Sequence, residues 1–409
     1  MSELRLRGAA AARPVDIFGI PPFLPILLGF LQAVGPISTD MYLPAFPAIE
    51  ASFHTPPGSA QITLAVWLVG LALGQLVQGA LSDRFGRRGP LLIGTVIYIA
   101  GTIGCATCGS IPQMAAWRVL TALGASASMV IPRAIVRDIT HGHASARLMS
   151  QLILVLGAAP ILAPSLGGLV LRWANWRDIF WINAAYGVIA LLAAFIKLPD
   201  TLALADHVPF HPVSMLRRYA HVLTERSFAT HGLMIAFYAF GVFAYLGGAP
   251  TIFIDHYRFS PSQFALVFGG IAAGYILASQ LNMQVVRRLG LDDTLRLTST
   301  LYLCGAALLL ALAVMDVPVA AFGLVLAATH CFNGILAPTA TVGALRHHAS
   351  HAGSASAVLG TMQFGIGSTA GFIVGWLTDG TAVPMAALIL FAGVAAKTCD
   401  LLRPPERIG

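Results

Sequence analysis

Residues 79–89 of the chain read GALSDRFGRRG and connect two long apolar runs. Glycine residues at both ends and in the middle permit a tight turn. Between them, Asp83 is suited to accept hydrogen bonds or to face a positive helix terminus, and Arg87 and Arg88 are suited to hold carboxylates. We interpret this stretch as a polar loop between two membrane-spanning helices. A merely basic turn is the alternative.

The composition indicates a membrane protein. Of 409 residues, 57% are hydrophobic and 10% are charged, against roughly 25% charged in soluble domains. The net charge of +7 would suggest nucleic acid as a partner of a soluble protein, but here the basic residues fall between apolar runs and indicate topology. Nucleic acid is therefore not an expected partner, whereas the lipid bilayer is.

Twelve apolar segments reach the roughly 20 residues needed to cross a bilayer. They are 21–46, 60–81, 90–110, 112–135, 149–171, 177–197, 228–253, 262–286, 295–315, 317–342, 354–376 and 381–402. The polar segment 198–227 divides them six and six. We predict an all-α membrane protein with an N-terminal tail over 1–20, a six-helix half over 21–197, a linker over 198–227, and a second half with a short tail over 228–409.

The basic residues predict the orientation. Of the 24 Lys and Arg residues, Arg172, Arg177 and Arg258 fall on one side and Arg118 falls inside a span, which leaves 20 for the other side. Because basic loops stay in the cytoplasm, both termini and the linker are expected there. The first 19 residues lack a short apolar core with a cleavage site, so we interpret them as a tail rather than a signal peptide.

A weak internal sequence repeat supports two related halves. At an offset of 203, Tyr42 matches Tyr245 and Pro47 matches Pro250; at 204, Gly167 matches Gly371. Such a repeat predicts pseudo-symmetric halves with a central site between them.

Two charges inside the spans are candidates for function, because ionised groups are costly in a bilayer. Asp40 is the one acidic residue within a span, and Arg118 is the one basic residue clearly inside a helix. Each lies about six residues, or about 9 Å, below the predicted outer boundary. Asp40 is the candidate proton-coupling residue with Arg118 as its partner. A permanent ion pair that only orients helices is the alternative.

The loop stretch resembles the signature loop of the major facilitator superfamily, in the pattern G-x-L-[AS]-D-R-x-G-R-R. The resemblance implies the major facilitator fold and a loop that controls gating. The octapeptide STDMYLPA over 38–45 and the hexapeptide RAIVRD over 133–138 resemble the Bcr/CflA group of drug:proton antiporters, which includes bicyclomycin and chloramphenicol exporters. Several such exporters carry an acidic residue where this chain has Gln32. The implied gating residues are Gly79, Asp83, Arg84, Gly86, Arg87, Arg88, Arg133, Arg137 and Asp138.

The fifth span contains GAAPILAPSLGG over 157–168, in which small residues permit close helix contact and prolines bend the helix. It resembles the antiporter motif of the superfamily, with Ala163 in place of the usual glycine. A plain kinked packing helix is the alternative. The motif residues are Gly157, Pro160, Pro164, Gly167 and Gly168.

Aromatic and polar side chains within the spans are candidates for a substrate cavity of mixed character. Packing against helices or lipid is the alternative for the aromatics, and a neutral, hydrogen-bonded histidine is the alternative for His330. The candidate substrate contacts are Gln32, Tyr42, Phe237, Tyr238, Tyr245, His330, Asn333 and Gln363.

No metal site or cofactor is expected. Cys105 and Cys108 lie one turn apart in a span without a second pair, and His347, His348 and His351 have no acidic or thiolate neighbour in sequence. No catalytic cluster or sizeable soluble domain is evident, so an enzyme or receptor is not expected. We predict a monomeric drug:proton antiporter of the bacterial inner membrane that uses alternating access and takes its energy from the proton gradient. A proton-coupled symporter, or an exporter of a small metabolite such as an amino acid, is the alternative.

Overall fold

The computed structural model describes residues 23–140, 142–202, 212–346 and 352–404, and within these ranges every regular element is helical. The predicted tail over 1–20 and the histidines His347, His348 and His351 lie outside the described residues. The first half contains α1 (Phe23–Asp40), α2 (Phe46–Phe53), α3 (Gln61–Phe85), α4 (Arg88–Thr107), α5 (Ile111–Ile139), α6 (Gly142–Trp173) and α7 (Trp176–Lys197). After α8 (Pro212–Thr224), the second half contains α9 (Arg226–Pro250), α10 (Pro261–Leu289), α11 (Leu291–Val314), α12 (Val319–Leu345), α13 (Ala352–Leu377) and α14 (Val383–Leu401).

The helices account for all twelve predicted spans. Eleven of the described helical segments are long and apolar enough to cross a membrane, the first of which joins α1 and α2 over Phe23–Phe53. The twelfth predicted span, 149–171, falls on α6, which is 32 residues long. Below, "outer" and "inner" denote the ends of the helices that the basic residues predict to face away from and toward the cytoplasm.

The first span is a broken helix, and proline explains the break. A proline ring clashes with the carbonyl four residues earlier and lacks an N–H. Pro44 therefore prevents a helical turn around Asp40, where α1 ends. A short 3₁₀ turn follows over Leu43–Ala45, and α2 restarts at Phe46 with Pro47 in its first turn, where proline is tolerated.

The opposite half carries a related distortion. Its first helix, α9, ends at Pro250 and continues as a π-helical segment over Thr251–His256. Because Pro250 stands 203 residues after Pro47, the two halves break their first helices near equivalent positions.

Helices within the first half approach closely at glycines. A Cβ atom added to Gly70 of α3 would lie 2.7 Å from Ala122 of α5, and one on Gly124 of α5 would lie 2.4 Å from the backbone of α4 at Tyr98. In a membrane, where burial in lipid gives no hydrophobic drive between helices, such small-residue contacts supply the packing. They hold α3, α4 and α5 together as one unit.

The two halves meet along α3 with α13 and α6 with α10. At the outer end, the buried amide Nε2 of Gln61 donates to Oγ1 of Thr251 at 3.0 Å. Arg172 donates to Oγ of Ser262 at 2.8 Å. The outer ends of the halves are thus joined by side chains from both pairs of helices.

The linker contains the helix α8, where the sequence predicts only a polar connection. In α8, the hydroxyl of Tyr219 donates to the carbonyl of Leu76 at 3.2 Å, and α8 also packs against α9 and α13. The linker therefore contacts both halves at their inner side.

Candidate functional site

A central cavity lies between the halves and is lined mainly by the second. Its volume is about 220 Å³. From the first half, Asp40 and Pro160 reach its wall. The described residues that line it are Asp40, Pro160, Ile235, Tyr238, Ala239, Val242, Phe243, Tyr245, Leu246, Phe268, Ile271, Ala272, Tyr275, His330, Asn333, Ala337 and Gln363.

Asp40 sits deeper than the sequence suggested. The first span continues to Phe53 rather than ending near Phe46, so Asp40 lies thirteen residues before its outer end. The break after α1 places Asp40 at the cavity wall. Only 5% of the surface of Asp40 is exposed. Among the described residues, no lysine or arginine forms an ion pair with it.

Arg118 is fully buried but does not meet Asp40, which corrects the expected pairing. Its Nη1 donates to the carbonyl and Oγ of Ser38 at 3.1 and 3.3 Å. Its guanidinium carbon lies 4.3 Å from the ring centre of Tyr42 and 4.2 Å from that of Trp67. Aromatic faces attract a cation in this geometry. Arg118 therefore anchors the broken end of α1 two residues before Asp40.

The second half supplies polar atoms that lack partners among the described residues. The Nε2 of His330, the Oδ1 of Asn333 and the hydroxyls of Tyr238 and Tyr245 are buried without a hydrogen bond. The Nδ1 of His330 contacts the carbonyl of Leu326 at 2.9 Å. Buried polar groups normally find a partner, so these atoms are placed to meet a polar group of a bound molecule or water.

Three predicted substrate contacts lie away from the cavity. Tyr42 packs under Arg118 and against Phe180, with ring centres 5.7 Å apart. Phe237 packs edge-on against Phe391 at 6.1 Å on the other side of α9. Gln32 is fully buried on α1, next to Arg133. Side-chain direction, which apolar composition does not reveal, decides these placements.

The signature stretch forms a tight cluster at the inner end of the first half. Most of it is the end of α3, and Gly86 makes the turn with a φ of 82°, where a side chain would be strained. Arg87 donates from Nε to Asp138 of α5 at 2.7 Å and is ion-paired with Asp83. This arginine joins the ends of α3 and α5.

Other residues of the predicted gating set do not join this cluster. Arg88 donates to the carbonyl of Phe195 at 2.6 Å rather than to a carboxylate, and Arg84 lies over the ring of Phe85 at 5.6 Å. Gly79 lies within α3, and Arg137 is exposed on α5. Arg133 lies near the inner end of α5, beside Gln32.

Asp200 belongs to the same cluster and was missed by the sequence reasoning. Its Oδ1 accepts from the backbone N–H of Arg87 at 2.9 Å. A Cβ atom on Gly86 would collide with its carboxylate. The signal in the sequence was a carboxylate directly after the sixth span.

The second half has a comparable inner cluster with the charges exchanged. Gly290, which stands 204 residues after Gly86, has the same φ of 82°. Here the acidic Asp292, in the first turn of α11, pairs with Arg403. Arg403 also pairs with Asp400 at 2.7 Å, and Lys397 contacts Asp400 at 2.8 Å. The cluster ties α11 to α14.

The fifth-span motif contacts both the break and the other half. A Cβ atom on Gly167 would fall 1.8 Å from the carbonyl oxygen of Met41, and one on Gly168 would lie 2.9 Å from the carbonyl oxygen of Pro261. Pro160 faces the cavity. Gly157 has only an ordinary contact with Ile276, at 3.5 Å.

The family follows from the match of residues 28–372 to the sequence profile described as Major Facilitator Superfamily. The chain belongs to the major facilitator superfamily. It is therefore a multi-pass membrane transporter, and the broken first helices, central cavity and inner clusters are parts of a major facilitator fold in two six-helix halves.

Relatives and solved structures agree with this membership. The chain is 32% identical over 388 residues to "Uncharacterized MFS-type transporter YdgK" of Bacillus subtilis, covering 94% of this chain and 96% of the relative. It is 26% identical to "Bicyclomycin resistance protein homolog" of Haemophilus influenzae, covering 88% and 90% of the two chains. The crystal structure of a D-xylose-proton symporter aligns with a TM-score of 0.75 at 15% identity over 94% of this chain and 98% of that one, which shows the shared fold.

Another relative carries a resistance name. "Chloramphenicol resistance protein" of Pseudomonas aeruginosa is 30% identical, and the alignment covers 69% of this chain and 67% of that protein.

Among the described residues, no group of three His, Cys, Asp or Glu side chains is placed to hold a metal ion.

Proposed function

We propose that this transporter exports small amphipathic molecules in exchange for protons, working as a monomer in the bacterial inner membrane with both termini in the cytoplasm. The observation that carries the proposal is Asp40, a carboxylate without an ion-pair partner among the described residues, on the wall of the central cavity. Intramembrane carboxylates of this kind mark proton relays and substrate paths.

Asp40 couples the two fluxes because its charge controls the cost of closing the cavity. An ionised carboxylate surrounded by apolar side chains is unfavourable, and protonation removes that cost. Proton uptake at Asp40 and substrate binding then compete for, or alternate in, the same space. Arg118 acts through Ser38 by fixing the helix break, so it is a positioning residue.

The cavity wall suits amphipathic substrates. Aliphatic and aromatic side chains dominate it, and a few polar atoms stand among them, notably on Tyr245, His330 and Asn333. Such walls bind by shape and apolar contact with a small number of directed hydrogen bonds. Since two relatives are named for bicyclomycin and chloramphenicol resistance, we propose compounds of those kinds as substrates.

The inner clusters and the fifth-span motif control the change between the two arrangements of the halves. Arg87 joins α3 to α5 in this arrangement, in which the outer ends of the halves are also joined. Alternating access requires the halves to separate at the outer end and close at the inner end. We propose that the residues around Gly86 and Gly290 stabilise one arrangement, while Gly167 and Gly168 let α6 slide against its neighbours.

A resistance panel tests the proposal. Cells that express the chain should grow at higher concentrations of chloramphenicol or bicyclomycin than cells that express Asp40→Asn at the same membrane level. Faster entry of a compound in cells with the wild-type protein would instead indicate a symporter. Equal sensitivity of both strains to every compound would contradict drug export.

A further inference from the structure

Arg133 is a cation on the inner side of the membrane-spanning region without an ion-pair partner among the described residues. It lies six residues before the inner end of α5. The residue is exposed, and its guanidinium lies against the buried Gln32 of α1. It therefore stands at the edge of the contact between α1 and α5.

Gln32 holds this guanidinium in place. With the amide oxygen turned toward Arg133, the orientation that satisfies both groups, it accepts from Nε at 2.8 Å and from Nη2 at 3.2 Å. Gln32 itself has no exposed surface, so its side chain is fixed by packing. Arginine has five N–H donors, and the pair uses two of them. The other three make no hydrogen bond to a described residue, and Arg133 is exposed.

The pair lies between the level of Asp40 and the inner ends of α1 and α5. Gln32 stands eight residues before Asp40 on α1, which is about 12 Å of helix toward the inner end. Gly35, between them, faces Met129 of α5, one turn before Arg133. The two helices thus contact each other between the Arg133 level and Asp40, and a substrate that reaches the cavity from the cytoplasm must come from the side on which the pair lies.

We infer that Gln32 and Arg133 form a recognition site that admits neutral or anionic molecules with an oxygen acceptor and repels cations. This rests on the proposed function and specifies its substrate class. A glutamine accepts hydrogen bonds but does not neutralise a positive charge. The guanidinium therefore keeps its charge, which repels a cation and donates to carbonyl, nitro or carboxylate oxygens.

Binding to the purified full-length protein tests this inference with two probes. Chloramphenicol is neutral and carries nitro and amide oxygens, and tetraphenylphosphonium is a permanent cation without an acceptor. The wild type should bind chloramphenicol and exclude tetraphenylphosphonium. Arg133→Gln should weaken chloramphenicol binding about tenfold, as expected for a lost hydrogen bond to a charged donor, and should strengthen tetraphenylphosphonium binding about tenfold.

Two further variants separate charge from hydrogen bonding. Arg133→Lys keeps the charge but not the planar fork, so it should still exclude tetraphenylphosphonium while binding chloramphenicol less well. Gln32→Glu places a carboxylate against the guanidinium, so it should admit tetraphenylphosphonium even if Arg133→Gln fails to fold. Arg288→Gln, at an exposed arginine on the inner end of α10, is the charge-matched control and should change neither affinity.

Distinct results contradict the inference and the proposed function. Equal tetraphenylphosphonium affinity in the wild type, Arg133→Gln and Gln32→Glu would overturn charge selection at this pair, as would an equal shift with Arg288→Gln. Failure of the folded wild type to bind either probe would contradict the proposed drug transport itself.

Discussion

The guanidinium of Arg118 donates to the carbonyl of Ser38 at 3.1 Å, two residues before Asp40, and leaves the carboxyl of Asp40 without an ion-pair partner among the described residues. The proposed coupling depends on this separation. A paired carboxylate would stay ionised through the cycle, because a nearby arginine favours the charged form. An unpaired one exchanges its proton when the cavity changes its access to water.

Replacing Arg118 by lysine should disable the transporter although the charge is kept. Lysine cannot reproduce a planar guanidinium held between the rings of Tyr42 and Trp67. We expect at least a tenfold fall in transport and a lower thermal midpoint of the purified protein. Because the proposed role is to position the helix break, adding Ser38→Ala to Arg118→Lys should cause little further loss. Normal transport by Arg118→Lys would show that the anchor is dispensable.

Gly375 should be essential for closing the outer end. A Cβ atom there would lie 2.7 Å from the carbonyl oxygen of Gly58 across the halves. We expect Gly375→Val to hold the outer ends apart, to abolish transport, and to raise the labelling of an outer-facing cysteine by a membrane-impermeant thiol reagent. Gly365→Val on the same helix is the matched control, since a Cβ atom at Gly365 meets nothing within 4 Å. Equal labelling of the two variants would contradict this account of the outer contact.

Gly167 should matter more than Gly157 within the fifth-span motif. A Cβ atom on Gly167 collides with the carbonyl oxygen of Met41 at 1.8 Å, whereas one on Gly157 makes an ordinary contact at 3.5 Å. Gly167→Ala should therefore displace α6 from the break beside Asp40 and reduce transport at least tenfold, while Gly157→Ala should have a much smaller effect. Transport assays at matched membrane levels decide this, and a larger defect with Gly157→Ala would refute the proposed contact.

Arg87 should stabilise the inner cluster. Arg87→Gln leaves Asp83 and Asp138 without their shared partner, which costs about 2 kcal/mol after allowing for solvent screening at the half-exposed Asp83. We expect a thermal midpoint a few degrees lower. Arg84→Gln should have a smaller effect, because Arg84 is exposed and lies over the ring of the adjacent Phe85. Similar losses for both variants would mean that loop charge in general, rather than the Asp138 contact, matters.

The sequence predicted the architecture well because its signals are local and strong. Twenty apolar residues in a row, a basic connection and a glycine between two helices each have one dominant structural outcome. The twelve spans and the sharp turn at Gly86 follow from them. The break at Asp40 is consistent with Pro44, but the apolar run that contains both residues predicts one continuous helix.

Side-chain partners were harder to predict, since they depend on helix rotation and on residues distant in sequence. Their equal estimated depth predicts that Asp40 and Arg118 pair. In the structure the guanidinium of Arg118 instead contacts Ser38 and two aromatic rings. Asp200 joins Arg87 from 113 residues away. Neither arrangement leaves a periodic pattern, so neither was visible in the sequence.

The central claim is that Asp40 couples proton movement to export, and transport by purified protein in lipid vesicles tests it most directly. With chloramphenicol as substrate, an imposed proton gradient should drive uphill transport by the wild type, with measurable proton counterflow. Asp40→Asn should still bind chloramphenicol and let it equilibrate down its own gradient, but it should lose both uphill transport and proton counterflow. Full proton-driven transport by Asp40→Asn would contradict the account.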